Sequence, residues 1–263
     1  MSIKVLSGKV YLLITGASRG IGRQIAISFG SMLEEGSHIV LLATNLNALK
    51  ETAKNIATNV SIDTISVDLS KPTKDEFHNI IMQSHKNRTP KQFDRVVIVH
   101  NVGSMGNISD YANDLTDVDS WRCYYDLNVF SPAILNGVIM KIFNEDTNTE
   151  KTIINITSLM ALEPRKGICV YSTGKAAREM FFRAFALENP DVDVLNYSPG
   201  PVQTDMFNEL CNFVCDKETK TQFENLLTQK SVLTSEQTVN RLLSLLKDHK
   251  YKSGDHVDYY DEL

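Results

Sequence analysis

Short apolar runs rich in β-branched residues alternate along this chain with longer stretches in which apolar residues recur every three or four positions. Residues 10–15, 37–43, 64–67, 95–99, 152–156 and 192–197 read as strands. Most are apolar at successive positions, as in parallel strands covered on both faces. Residues 21–33, 46–57, 73–85, 120–143 and 171–188 read as helices. Strand and helix in regular alternation predict an α/β fold built on one doubly wound parallel sheet with helices on both faces.

The rhythm changes after Pro199. Residues 206–229 read as one helix with no strand nearby, residues 235–247 as another, and residues 256–259 as a last short strand. The polar stretch 144–151 reads as a surface loop. No internal repeat or low-complexity linker divides the chain, so one domain over 1–263 is expected, with an insertion at about 201–232. In a Rossmann-type sheet such an insertion overhangs the carboxyl ends of the strands, where ligands bind.

Composition narrows the field. A chain of 263 residues with 42% hydrophobic and 22% charged content can bury a core without metal or disulfide staples. A net charge of −5 argues against a nucleic-acid partner, which needs a basic face. The four cysteines, Cys123, Cys169, Cys211 and Cys215, do not suggest a disulfide framework. Cys211 and Cys215, one helical turn apart, read as two small half-buried residues on a helix face. No Cys/His spacing suits zinc, and no metal is expected. The amino-terminal stretch lacks a cleavage site, and no apolar run approaches the ~18 residues of a membrane span. A cytoplasmic protein without a membrane partner is the expectation.

The first strand runs into Gly16-Ala17-Ser18-Arg19-Gly20-Ile21-Gly22 and then a helix. Glycines there permit a tight turn and close approach of the backbone to a pyrophosphate. The helix start offers free N–H groups and partial positive charge. The strand–loop–helix setting makes this a dinucleotide site and not merely a flexible turn. The second strand ends in Ala43-Thr44-Asn45, without the acid that holds a ribose diol in NAD-selective sites. Nothing repels a 2′-phosphate, and Arg19 can reach one, so NADPH is the expected cofactor.

Ser158 closes the fifth strand, Tyr171 follows 13 residues later, and Lys175 lies four beyond. Residues four apart share a helix face. A phenol with an ordinary pKa near 10 exchanges protons poorly at neutral pH, and a neighbouring ammonium would favour its phenolate. Tyr171 can then protonate a carbonyl oxygen as hydride reaches carbon, while Ser158 holds that oxygen.

These residues carry a resemblance. Thr15 to Gly22, Asp68-Leu69, Asn101-Val102-Gly103, Asn128, Ser158, Tyr171-Ser-Thr-Gly-Lys175 and Pro199-Gly200 are similar, in order and spacing, to the motifs of the short-chain dehydrogenase/reductase family. The resemblance implies that Asp68 contacts adenine and that Asn101 packs near its ribose. It implies that Asn128 joins a proton relay through Lys175, and that Lys175 also binds the nicotinamide ribose. Val202 and Thr204, with Asp205 and Met206 beside them, would hold the nicotinamide amide. Leu195 to Pro201, Thr204-Asp-Met206 and the ending 252–261 resemble the pterin-reducing branch of the family. That branch implies NADPH-dependent reduction of the side-chain ketone of 6-pyruvoyl-tetrahydropterin on the way to tetrahydrobiopterin, sepiapterin as an alternative substrate, and a cytosolic homodimer.

The chain departs from the family at three places. His100 and Val102 replace an asparagine and an alanine, Thr44 stands where that branch has a 2′-phosphate-binding arginine, and Ile21 replaces a bulkier residue.

A pterin edge offers two parallel N–H donors, which a carboxylate accepts as a fork. By resemblance that carboxylate is Asp258; from composition alone, Asp255, Asp258, Asp261 and Glu262 also read as a solvated acidic tail. Leu159 and Gly200 complete the expected substrate contacts. Trp121, Tyr124, Met160, Cys169 and Met206 are further candidates for apolar walls. The rival functions are a general NADPH-dependent carbonyl or diketone reductase with the same catalytic residues, and a dinucleotide-sensing protein without activity.

Overall fold

The computed structural model describes residues 3–57, 60–71, 73–84, 92–144 and 149–262. It contains one seven-stranded sheet, all parallel, in the order β3-β2-β1-β4-β5-β6-β7. The strands are β1 Val10–Thr15, β2 His38–Ala43, β3 Ser61–Ser66, β4 Arg95–His100, β5 Glu150–Ile156, β6 Val192–Ser198 and β7 His256–Asp258. The helices are α1 Gly20–Gly30, α2 Leu46–Lys54, α3 Lys74–Ser84, α4 Val118–Tyr125, α5 Ser131–Ile142, α6 Cys169–Glu188, α7 Asp205–Phe213, α8 Lys217–Thr228 and α9 Ser235–Asp248.

The two-residue period of the strands builds two cores. Val10, Leu12, Ile14, Ile39, Leu41, Val97 and Val99 pack on one face with Ile25 and Phe29 of α1, Leu49 of α2 and Leu242 of α9. Tyr11, Leu13, Val40, Leu42, Val96 and Ile98 pack on the other with Phe77 of α3, Leu135 and Ile139 of α5 and Phe182 of α6. The helices start where polar side chains satisfy first-turn N–H groups. Asn45, Asp117, Thr204 and Asp216 accept from their helices, and Thr234 with Gln237 forms a reciprocal capping box on α9.

Three predicted elements need correction. The third strand is Ser61–Ser66 and not 64–67, because its pairing with β2 begins at His38↔Ser61. The carboxylate of Asp63 within it lies 3.2 Å from Nε2 of His38, a use for a residue that reads as loop. The predicted helix 120–143 is α4 and α5 joined by a π-turn over Asp126–Phe130, which carries Asn128. Such turns recur where a helix must present a functional side chain. The predicted helix 206–229 is two helices. Val214 takes extended angles, Cys215 donates its N–H to the carbonyl of Ile108 at 2.8 Å, and Asp216 caps the next helix. Cys215 therefore leaves the helix face on which Cys211 sits. Residue 85 of the predicted third helix and residues 145–148 of the predicted surface loop lie outside the described residues.

Among the described residues no helix is long and apolar enough to cross a membrane. No group of three His, Cys, Asp or Glu is arranged to hold a metal ion among them.

Candidate active site

The glycine loop is shaped by contacts that admit no side chain. Gly16 and Gly20 have φ of 69° and 54°, in the left-handed region. A Cβ on Gly22 would stand 2.4 Å from both Asn101 Nδ2 and the Gly16 carbonyl. Asn101 in turn donates to the carbonyls of Thr15 and Gly16 at 3.0 and 3.2 Å, and so ties the end of β4 to the loop. No side chain caps α1 at Arg19, so its first-turn N–H groups and dipole are open to an anion. This uncapped cradle fits the pyrophosphate of the expected NADPH. Ala17 is buried beside it, and Ser18 offers its carbonyl to Arg23 Nη2 at 2.7 Å.

Beyond β2, Thr44 is exposed and Asn45 is committed to the α2 cap. Arg19 reaches Asp205 at 2.6 Å, linking the glycine loop to the start of α7. Sequence reasoning passed over Arg23, a second cation held at the loop. Its place in the first turn of α1, four residues after Arg19, was the available signal. Asp68 is exposed past β3, and hydrogen bonds from Ser70 hold its carboxyl below the ordinary range. Leu69 beside it is buried.

A cavity of about 440 Å³ opens between the carboxyl ends of β5 and β6 and the helices α7 and α8. Ser158, Leu159, Tyr171, Gly200, Val202, Thr204, Met206, Ile21 and Asp258 all line it. Residues 100 positions apart in the chain thus meet in one space. Of the further wall candidates, Met160 and Met206 line the cavity, whereas Trp121, Tyr124 and Cys169 do not. The Trp121 indole instead donates to the Leu115 carbonyl at 2.9 Å. Tyr124 packs behind α6, where a Cβ on Gly174 would come within 2.4 Å of its ring and its hydroxyl donates to the Tyr171 carbonyl. Gly174 in the Tyr171–Lys175 segment is therefore a packing requirement.

Ser158 Oγ accepts the Met160 N–H at 3.2 Å, which fixes its rotamer at the mouth of a short 3₁₀ turn. Lys175 Nζ donates to the Ile156 carbonyl at 2.8 Å and lies 5.7 Å from the centre of the Tyr171 ring. Asn128 accepts the Ser104 N–H at 2.9 Å and donates to the Tyr124 carbonyl at 2.8 Å; among the described residues it makes no direct hydrogen bond to Lys175.

The electrostatics differ from the expectation that Lys175 acidifies Tyr171. Burial pushes the Tyr171 phenol above its ordinary pKa, opposed by Ser158 and by the Arg178 guanidinium. Burial also pushes Lys175 well below the usual amine range, with Arg178 adding to the effect and Glu179 opposing it. The cation that acts on both is Arg178, one turn beyond Lys175.

Arg178 and Glu179 are a buried supporting pair to which sequence reasoning gave no role. Both are 2% exposed. Arg178 donates to Asn155 Oδ1 at 2.6 Å, to the Val102 carbonyl at 2.8 Å and to the His100 carbonyl. Asn155 passes the link to Asn196, and Asn196 to the Gly254 carbonyl, at 2.9 and 3.0 Å. Glu179 accepts from Thr157 at 2.7 Å, and its Oε2 lies 2.9 Å from Nδ1 of His256. The neighbours of Ser158 and Asp258 are thus fixed from beneath by two buried charges. His100 is wholly buried, and its pKa is lowered to about 3 by desolvation and by Arg178.

Asp258 is 9% exposed. Its Oδ2 accepts from Ser198 Oγ at 2.5 Å and its Oδ1 from the Tyr260 N–H at 3.1 Å. A carboxylate has about four lone-pair sites, so both oxygens can still accept a ligand donor. The solvated-tail alternative does not describe this residue.

A family model described as short chain dehydrogenase matches residues 10–213. The chain belongs to the short-chain dehydrogenase family. It is an oxidoreductase acting on the CH–OH/C=O pair. This short-chain dehydrogenase is 33% identical over 258 residues to the sepiapterin reductase of Bos taurus, covering 97% of this chain and 96% of the relative. The sepiapterin reductase of Xenopus laevis is 33% identical, with 97% of each chain covered. A solved short chain dehydrogenase/reductase of Saccharomyces cerevisiae has the same fold, with a TM-score of 0.80, 23% identity and 97% of each chain covered.

Proposed function

We propose that this enzyme is an NADPH-dependent reductase of pterin side-chain ketones, with 6-pyruvoyl-tetrahydropterin as substrate in tetrahydrobiopterin formation, sepiapterin as an alternative, and a cytosolic homodimer as its working form. The observation that carries this reading is Asp258, a nearly buried carboxylate that lines one cavity with Ser158 and Tyr171. Its two oxygens suit the paired N–H donors of an amino-pyrimidinone edge. The sepiapterin reductases of Bos taurus and Xenopus laevis, similar over nearly the whole chain, support a pterin substrate.

When bound, NADPH supplies the hydride to the carbonyl carbon. The chain's own residues do the rest. Asp258 anchors the ring and so turns a bimolecular encounter into a positioned one. Ser158 Oγ donates to the carbonyl oxygen and holds it. Tyr171, kept protonated by its burial, gives its proton to that oxygen. Lys175 holds the nicotinamide ribose and, with Asn128, returns a proton to the phenolate. The apolar walls from Leu159, Met206 and Phe207 keep water from the reacting centre. Gly16 to Gly22, Asp68, Asn101, Val202 and Thr204 hold the dinucleotide. Dimerisation is supported by Phe130, Met180 and Leu187, apolar side chains left exposed on and beside α5 and α6.

The test is a spectrophotometric assay of purified enzyme with NADPH and sepiapterin. Loss of both absorbances is expected. Repeating it with NADH measures how much selectivity Arg19 and Arg23 supply without an arginine at Thr44. Turnover of simple diketones with none of sepiapterin would replace this reading with the general carbonyl reductase.

A further inference from the structure

Ser158 and Asp258 belong to strands that do not pair. Ser158 follows β5, Asp258 ends β7, and β6 lies between them. The β7 strand is three residues long at the edge of the sheet. Its ladder joins it to β6, at Asn196↔His256, Tyr197↔Val257 and Ser198↔Asp258. Backbone pairing therefore sets the Asp258 carboxylate against Ser158 only through a third strand.

A second link bypasses that strand. Glu179 Oε2, on α6, accepts from Thr157 Oγ1 at 2.7 Å and lies 2.9 Å from His256 Nδ1. Thr157 is the residue before Ser158. His256 is two residues before Asp258, on the same face of the strand. One carboxylate oxygen thus ties the end of β5 to the start of β7 across β6. A carboxylate accepts, so the imidazole donates from Nδ1. The link is kept from water: the Glu179 side chain is 2% exposed and the His256 side chain 11%. Glu179 Oε1 and His256 Nε2 are buried without a hydrogen-bond partner among the described residues, so no second contact of these atoms replaces the link. His256 does not line the cavity, so it acts on a substrate only through the residues it holds.

We propose that His256 is a positioning residue that, through Glu179, holds Asp258 in register with Ser158 and so sets the reach from bound ring to reacting carbonyl. This rests on the reading above that Asp258 anchors the ring. A substrate gripped at both Asp258 and Ser158 reacts only when the two grips are correctly spaced, and a misplacement of about 1 Å costs about 10²-fold in rate. A substrate gripped at the carbonyl alone is indifferent to that spacing.

The experiment compares wild type, His256→Leu and His256→Gln on sepiapterin and on 1-phenyl-1,2-propanedione, with NADPH. The dione has no N–H donor for Asp258. 6-Methylpterin, which has the ring without a ketone, reports the anchor by its Ki against dione reduction. His256→Leu is expected to lower kcat for sepiapterin about 10-fold or more, with KM and the 6-methylpterin Ki within about 3-fold and kcat for the dione within about 2-fold. His256→Gln, whose amide can donate to the same carboxylate oxygen, should recover most of the loss. Thermal melting checks that the variants fold. Should His256→Leu melt early, the comparison is repeated with Glu179→Gln added, which removes the buried charge left without its donor. Equal falls on both substrates would show a general structural role and overturn the proposal, as would a rise in KM or Ki with kcat kept, or no recovery in His256→Gln. A wild type that does not reduce sepiapterin overturns the pterin reading and takes this proposal with it. A wild type that reduces it, with kcat kept in His256→Leu, overturns the proposal alone.

Discussion

The cofactor half and the substrate half of this site are built on different principles. The cofactor half, from β1 through the glycine loop to Asn101, is made largely of backbone. Its shape comes from left-handed glycines, an uncapped helix start and one asparagine that ties two loops together. The substrate half is made of side chains drawn from β5, α6, α7, α8 and β7, and two buried charges hold it in register. A backbone site tolerates changes around it but not a single added methyl group. A side-chain site tolerates changes of shape but depends on supports that never touch the ligand.

The sharpest break in the substrate half is Tyr171→Phe. Removing the proton donor should lower kcat by about 10³-fold or more, with the NADPH Kd nearly unchanged. Stopped-flow absorbance at the nicotinamide band measures the first and fluorescence titration the second. In the cofactor half, Gly22→Ala places a methyl group 2.4 Å from Asn101 Nδ2 and the Gly16 carbonyl. It should abolish detectable NADPH binding by the same titration, and with it turnover of every substrate.

Smaller in effect, Arg178→Met should leave the His100 and Val102 carbonyls and Asn155 without their donor. The expected loss is about 3 kcal/mol of stability, seen as a fall in Tm of about 5–10 °C by calorimetry. The pH dependence contributed by His100 is negligible at neutral pH and grows only toward acid. Its folded pKa is about 3 and its ordinary value is 6.5. Between those values the unfolded chain binds a proton that the folded chain does not, so stability falls as pH drops from 6.5 toward 3. His100→Asn should lose less stability than wild type between pH 6.5 and 4 in urea titrations.

The two halves also differed in how far the sequence disclosed them. The glycine loop is contiguous and local, so residues 16–22 between a strand and a helix announced it. The sheet and both layers of helices followed from strands that are mostly apolar at successive positions. Tyr171 and Lys175 were visible because spacing along one helix carries their geometry, and Ser158 because it follows the fifth strand at the sheet's carboxyl edge. Arg178 and Glu179 were hidden because a charged pair on a helix reads as a solvated face, and only the fold brings the β4 carbonyls and the tail onto them. The wall that α8 lends the cavity through Gln222 and Phe223 was hidden for a related reason: α8 was merged with α7 because the break at Val214–Asp216 contains neither glycine nor proline. Edge strand β3 was shortened because Ser61 and Asp63 are polar, as an outer strand allows.

The central claim is that one carboxylate holds the pterin while separate residues hold the cofactor and move the proton. Asp258→Ala tests it directly, by kcat/KM for sepiapterin measured beside the Kd for NADPH. The expected result is a fall in kcat/KM of about 100-fold or more, with the Kd unchanged within about 2-fold. Equal losses in both, or full sepiapterin turnover in the variant, would contradict it.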